Sequence, residues 1–387
     1  MREKGLILKV VYFGIYSKGV EYPRNNNLMR ALRRNGVDVI EAHFELAGSF
    51  LKRMSVVKEP LQALLFFFKL LTSFVCLAWK FIRLPQADVI IVGHPGYFHV
   101  HLAWILHRLF RRNSTLVYDV FIPLCEALVA DRELIVSGSF FGRLLYRFER
   151  SCCRLADLNL IDTDTHGNYL IETFAVDPAK VARVFVGATI AQQAEPYQVA
   201  KQKTFSVLFV GTYIPLHGID VILEAARILA DIPHIRFILV GTGQLRPPME
   251  LLANKWGLQN VEFIDWISTE QLGPFIRSHD LSLGIFGTTS KTNRVIPSKV
   301  FDICAAGVPF ITVDSPAIRE VFSHGENACL VPSGSPQALA EAIRELERSP
   351  TLRNHLAAGA RQTGRHMFSL KCIGADFLDH LHCIRKG

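Results

Sequence analysis

The sequence predicts an α/β chain of two domains, each a parallel sheet covered by helices. Three observations carry this reading. The chain has 387 residues, too many for one ordinary core and suited to two domains of roughly 150 to 200 residues. From residue 204 onward, short apolar runs that end in glycine alternate with amphipathic stretches, the pattern of βαβ units. The same alternation opens the chain, and the polar stretch IAQQAEPYQVAKQK (190–203) separates the two halves.

In the first half LILKVVYFG (6–14) reads as a strand, IYSKGVEYPRN as a loop, NLMRALRRNG (27–36) as a helix ending at Gly36, and VDVIEAHF as the next strand. ADVIIVGHPG (87–96) and STLVYDVF (114–121) are further strands, joined by the helix HVHLAWILHRLF. ADLNLIDTDTHGNYL and KVARVFVG (180–187) complete that sheet. In the second half the strands are TFSVLFVG (204–211), HIRFILVG (234–241), VEFIDW, LSLGIF, PFITV and NACLVP, each followed by a helical stretch. The expected domains are 1–195 and 204–365.

Hydrophobic residues make up 50% and charged residues 20%, without low-complexity tracts, so extensive disorder is excluded. The net charge of +8 is lopsided. Residues 1–150 hold 21 Lys and Arg against 12 Asp and Glu, and the remainder holds 22 against 23. An anionic partner for the first half, a membrane face or a nucleic acid, is one reading, and a solvated basic surface is the other. No nucleic-acid reader motif is present. Eight cysteines show no CxxC pair and no zinc spacing, which suggests reduced, buried thiols and no metal. The opening MREKGLILKVVYFGIY lacks a small-residue cleavage site, so the expectation is a cytoplasmic protein that begins with a strand.

Residues 61–84, LQALLFFFKLLTSFVCLAWKFIRL, interrupt the alternation. On a helical projection Gln62, Lys69, Ser73 and Lys80 form a narrow polar stripe, with Leu61, Leu64, Leu65, Phe68, Leu71 and Val75 on a broad apolar face. The lysines interrupt a transmembrane pattern. A helix lying in the membrane interface fits, helped by the basic lead-in LKRMSVVK (51–58), and a helix buried against the sheet is the alternative.

Several strands of the second half end in glycine loops around Gly211, Gly218, Gly241 and Gly287, where a ligand can approach the backbone and a helix N-terminus can face a phosphate. In GTGQLR, Arg246 occupies the third glycine position of a dinucleotide fingerprint, which disfavours a dehydrogenase. The stretch RVIPSKVFDICAAGVPFI (294–311) reads as a helix with Ser298 as N-cap, Gly307 as terminator and one acid, Asp302, in an apolar setting. A buried carboxylate needs a partner, and a ribose diol at a strand edge would be one. Lys299 and Arg294 lie close in sequence and could neutralise a diphosphate.

Over residues 205–345 the order FVGTYIPLHGIDVILEAA, FILVGTGQLRPPMELLANKWGLQNVEFIDWIS, LSLGIF, IPSKVFDICAAGVPFIT and REVFSHGENACLVPSGSPQALAEAI resembles the retaining glycosyltransferases of family 4, called group 1. The resemblance implies the GT-B fold of two facing Rossmann-like domains, with a final helix (about 366–387) crossing back onto the first. It implies a nucleotide-diphosphate sugar as donor and co-substrate, no cofactor, no required metal and a hexosyltransferase-like activity. The acceptor would enter from the N-terminal side and be lipid-linked or a polysaccharide precursor, met at the cytoplasmic membrane face by a peripheral or monotopic protein. A catalytically weak relative acting as a membrane-associated partner in polysaccharide assembly is the rival.

By resemblance Asp302 would hold the ribose, while the family's first acid falls on Arg294, its loop Arg and Lys on Thr212 and His217, and its N-domain histidine on Phe121. Diphosphate neutralisation would then rest on Lys291, Arg294 or Lys299. The candidate catalytic residues are Asp119, His94 and Arg294. The candidate donor site adds Gly211, Thr212, His217, Gly218, Gly241, Trp266, Ile267, Gly287, Thr288, Lys291, Lys299 and Asp302, and the acceptor-side loop comprises Gly14, Ser17 and Gly19.

Overall fold

In a computed structural model the described residues are 7–19, 23–45, 60–111, 113–130, 135–136, 138–193, 195, 197 and 204–386. The basic lead-in at 51–58 and most of the second half of the 190–203 stretch lie outside them. The chain forms two units, Met1–Val186 with Leu370–Gly387, and Gly187–Ser369.

In the first unit β1 (Lys9–Gly14), β2 (Asp38–His43), β3 (Val89–Val92), β4 (Thr115–Asp119), β5 (Leu158–Ile161) and β6 (Val181–Arg183) form one parallel sheet in the order β2-β1-β3-β4-β5-β6. Strand β3, VIIV, is buried throughout, because helices cover both faces and leave no side for polar alternation. The helices are α1 (Arg24–Arg34), α2 (Pro60–Arg83), α3 (His99–Phe110), α4 (Phe140–Leu155) and α5 (Asp164–Phe174). Strand β6 is shorter than KVARVFVG suggested. Beyond it, α1 takes over the backbone: Arg24 Nη1 donates to the Val184 carbonyl, and Asn27 Nδ2 to the Val186 carbonyl at 3.2 Å. The C-terminal helix, Leu370–Lys386, packs on α1, where Asn35 Nδ2 donates to Lys371 O at 3.0 Å. A Cβ on Gly374 would stand 2.5 Å from Ala31 O, so only glycine permits that approach.

Helix α2 corrects the polar stripe read from the sequence. Ser73 is buried and hydrogen-bonded to Leu70 O at 2.6 Å and His99 Nε2 at 2.9 Å, so it faces α3. Leu77 and Phe81, one and two turns on, are fully buried in the sheet core, and Lys80 Nζ donates to His43 O at 2.6 Å. Leu64–Arg83 is long and apolar enough to cross a membrane. One side of its C-terminal half, Leu77 and Phe81, is instead part of this unit's core, while Leu64, Leu65, Phe68, Leu71 and Val75 are exposed as the apolar face required.

In the second unit β7 (Phe205–Val210), β8 (Ile235–Val240), β9 (Val261–Ile264), β10 (Leu281–Leu283), β11 (Phe310–Val313) and β12 (Cys329–Val331) follow the order β12-β11-β10-β7-β8-β9, again all parallel. Around them run α6 (Ile219–Ile228), α7 (Arg246–Lys255), α8 (Thr269–Arg277), α9 (Ser298–Ala306), α10 (Pro316–Arg319), α11 (Pro336–Arg348) and α12 (Pro350–His366). Strand order reverses between β7 and β10, the place where such sheets open a crevice beyond the strand C-termini. The unit begins at Gly187, ahead of the polar stretch expected to link the domains, because Thr189 and Ile190 give their amides to Asp302 and Gln193 N donates to Ala305 O at 2.9 Å.

Candidate functional site

At the β7/β10 switch point the loop after β7 meets the loop after β10, backbone to backbone. Phe286 N donates to His217 O at 3.1 Å and Gly287 N to Leu216 O at 3.3 Å. Three expected ligand glycines are accounted for by this packing. A Cβ on Gly287 would lie 2.4 Å from Pro215 O, one on Gly218 (φ +64°) 2.6 Å from Gly287 N, and one on Gly241 (φ +130°) 2.0 Å from Gly211 O. Their absent side chains let the loops touch each other. Gly211 differs: a Cβ there would stand 2.6 Å from Lys299 Nζ and 3.3 Å from His217 Cε1, so its bare backbone faces an amine.

Lys299 projects from the first turn of α9 to this point. Its Nζ lies 3.4 Å from Gly284 O and 3.6 Å from the Phe209 ring centroid, with no carboxylate in ion-pair reach among the described residues. Burial pushes the ammonium well below the usual lysine range. His217, whose Nδ1 pairs with the Thr212 carbonyl, is pushed well down by burial and then by the Lys299 charge, so it is neutral. The expected Ser298 cap is corrected here. Ser298 is the first helical residue, Pro297 holds the cap position, and no side chain caps the helix. An unneutralised amine therefore stands beside the bare backbone of Gly211, reaching it from the first turn of a helix that no side chain caps, an arrangement that accepts an anion.

The other candidates divide. Lys291 is buried in the turn Ser290–Asn293, and Arg294 is partly exposed with Nη2 3.3 Å from Ser290 Oγ. Thr288 meets Gly334. Trp266, 62% exposed, and Ile267 follow β9, two strands or ~10 Å from β7. Asp302 is buried, and its partner is polypeptide: Oδ1 accepts from Thr189 N at 2.6 Å and Ile190 N at 3.2 Å. Burial raises its pKa to about 6 against the pull of those amides. The carboxylate explained from sequence by a ribose is satisfied by the start of its own unit.

In the first unit the sheet order reverses between β1 and β3, and Gly14, Ser17 and His94 meet there. Ser17 N donates to His94 O at 3.1 Å, Gly19 N to Ser17 Oγ at 3.3 Å, and Asn25 Nδ2 bridges Ser17 O and His94 O at 2.9 and 2.6 Å. His94 Nδ1 donates to Val120 O at 3.1 Å, which leaves Nε2 as the basic nitrogen. Asp119 is not an open carboxylate. It is fully buried and bound by Arg24 through Nη2 at 3.0 Å and Nε at 3.1 Å. Sequence reading missed that pair, and also His166, buried between Asp162 Oδ1 at 2.7 Å and Glu126 Oε2 at 3.2 Å. Burial works against the imidazolium, but the two carboxylates raise its pKa to about 9. Arg24 and Asp119 stand 95 positions apart, and Glu126 stands 40 positions from His166, so neither long-range pair gave a local signal.

Residues 192–363 match the family model of glycosyl transferases group 1. This second unit is a group 1 glycosyl transferase domain. The chain is 29% identical over 201 residues to the lipopolysaccharide core biosynthesis glycosyltransferase LpsD of Rhizobium meliloti, covering 51% of this chain and 56% of that one. It is 22% identical over 296 residues to the chitobiosyldiphosphodolichol beta-mannosyltransferase of Candida albicans, covering 71% and 64%. The chain thus spans a little over half to just under two thirds of the length of these curated relatives. Among solved structures, Anabaena Alr3699/HepE in complex with UDP and glucose superposes with a TM-score of 0.68 at 14% identity, over 97% of this chain and 100% of that chain. Sucrose-phosphate synthase from Thermosynechococcus elongatus gives 0.69 at 16%, over 98% and 99%. The group 1 domain and its companion unit thus have the GT-B fold, two parallel sheets covered by helices.

Proposed function

We propose that the chain is a retaining glycosyltransferase that moves a sugar from a nucleotide-diphosphate sugar to a lipid-linked or polysaccharide-precursor acceptor at the cytoplasmic face of a membrane. The observation that carries this reading is Lys299, an amine with no carboxylate in reach among the described residues, placed beside Gly211 at the switch point of a group 1 domain. In the reaction the bond from sugar C1 to the diphosphate oxygen breaks as the acceptor hydroxyl attacks from the same face, and the acceptor proton passes to the departing phosphate. The chain's main task is to stabilise negative charge growing on that diphosphate. Lys299 does so as a point charge, and the α9 amides do so as fixed dipoles. Arg294 and Lys291, on the turn before α9, supply further positive charge.

The acceptor class draws on relatives whose names specify lipopolysaccharide core, a dolichol-linked chitobiosyl diphosphate and, for a Mycobacterium leprae mannosyltransferase, phosphatidyl-myo-inositol. The exposed apolar face of α2 supports a membrane setting. Sugar release and transfer from a panel of UDP-, GDP- and ADP-sugars test the proposal. Turnover of one donor that falls at least about tenfold in Lys299→Met supports it. Absence of turnover with every donor, in protein that still binds the nucleotide, would instead favour the non-catalytic partner.

A further inference from the structure

Helices α2, α3 and α4 lie side by side over one face of the first sheet. Ser73 and Phe74 of α2 meet His99 of α3, the latter stacked at 4.6 Å between ring centroids. His101 of α3 stacks on Phe148 of α4 at 5.4 Å and bonds Ser151 Oγ at 2.7 Å. Each helix turns one side to the sheet core and leaves large apolar side chains on the outside of this layer. From α2 these include Leu64, Phe68, Leu71, Val75 and Trp79, all about half exposed or more. From α3 they are Ile105, Leu109 and Phe110. From the first turns of α4 they are Phe140 at 70%, Phe141 at 68% and Leu144 at 55%.

The charges on this layer have one sign. Exposed on the three helices are Lys69, Arg83, Arg108, Arg143, Arg147 and Arg154, with Lys80 turned to the His43 carbonyl at the sheet edge, while their single acid, Glu149, is buried. A surface at once apolar and cationic restricts what can cover it. A second copy applied to the same face would oppose cation to cation, and a nucleic acid would leave the leucines and phenylalanines unmatched. An anionic bilayer matches both properties, taking the rings and branched chains below its headgroups and the lysines and arginines among them.

We propose that the outer face of the α2–α3–α4 layer is a single docking surface for anionic lipid membrane, and that Phe140, Phe141 and Leu144 form an insertion point separate from α2. This rests on the membrane setting proposed above and extends it to elements that the sequence pattern did not single out. Because Ser139 Oγ caps Gly142 N at 3.1 Å, the phenylalanines sit on an ordered helix start.

Flotation of the full chain with vesicles of phosphatidylcholine alone, and of phosphatidylcholine mixed with phosphatidylglycerol, tests it. Wild type floats with the mixed vesicles and much less with the neutral ones. The combined Phe140→Gln, Phe141→Gln and Leu144→Gln variant loses vesicle affinity by about tenfold or more, with the thermal melt unchanged. Arg143→Gln with Arg147→Gln lowers affinity only for the anionic vesicles. If the α4 variant floats like wild type while Leu64→Gln, Phe68→Gln and Leu71→Gln together release the protein, α2 alone is the anchor and the inference fails, although the membrane setting stands. If wild type floats with neither vesicle, both fail. Should the α4 triple variant unfold, Phe141→Gln alone, about two thirds exposed in the folded chain, takes its place with the same expected direction.

Discussion

Asp302 shows how one side chain can be read as needing a partner while a partner supplied by its own chain stays hidden in the sequence. Its burial was foreseeable from an apolar helix, but the amides of Thr189 and Ile190 are 113 and 112 residues away in sequence. Asp302→Ala leaves both amides unsatisfied and is expected to cost about 1 to 3 kcal/mol, measured by urea unfolding, whereas Asp302→Asn retains an acceptor and costs less. His166 makes a prediction of opposite character. Its pKa is raised from 6.5 to about 9, so its contribution is complete below pH 6.5 and is lost as pH rises through about 9. Roughly 3 kcal/mol of the first unit's stability is expected to disappear across that window. His166→Gln should flatten the profile, as read by unfolding at several pH values.

Among the elements, the β-strands were legible because a buried parallel strand is a short run of branched apolar residues closed by glycine, as in β7 and β8. What the runs did not reveal was which glycines serve ligands and which serve neighbouring backbone. Gly241→Ala places a Cβ 2.0 Å from Gly211 O at φ +130°, so a loss of about 3 kcal/mol or more of the second unit's stability is expected. Gly36, at φ +78° with nothing within 4 Å, is the control, and alanine there should cost only about 1 kcal/mol of backbone strain. Comparative unfolding of the two variants separates clash from conformation. Helix α2 was legible as amphipathic, but its polar stripe was assigned by residue type alone. Ser73 turned inward because His99 offers it a hydrogen bond, and Lys69 and Lys80 stayed exposed.

For the whole molecule, the charge asymmetry of the sequence now has a location. Part of the basic excess of residues 1–150 lies on the outer side of α2, α3 and α4, mixed with exposed apolar side chains. The group 1 domain carries little net charge, and the proposed donor chemistry rests on one amine, Lys299, at the reversal of strand order. That placement was legible only as a nearby residue number, because the switch point depends on β7 and β10 lying side by side, with registered partners 74 residues apart. If Lys299 receives a diphosphate, its depressed pKa rises on binding, so protons are taken up and affinity falls as pH increases. Calorimetric titration of a nucleoside diphosphate and of its parent nucleoside, in buffers of different ionisation enthalpy, into wild type and Lys299→Met, measures this directly. The account predicts proton uptake with the diphosphate in wild type, an affinity loss of about tenfold to a hundredfold in Lys299→Met, and an unchanged nucleoside affinity. Equal losses for both ligands, or diphosphate binding without proton uptake and indifferent to Lys299, would contradict it.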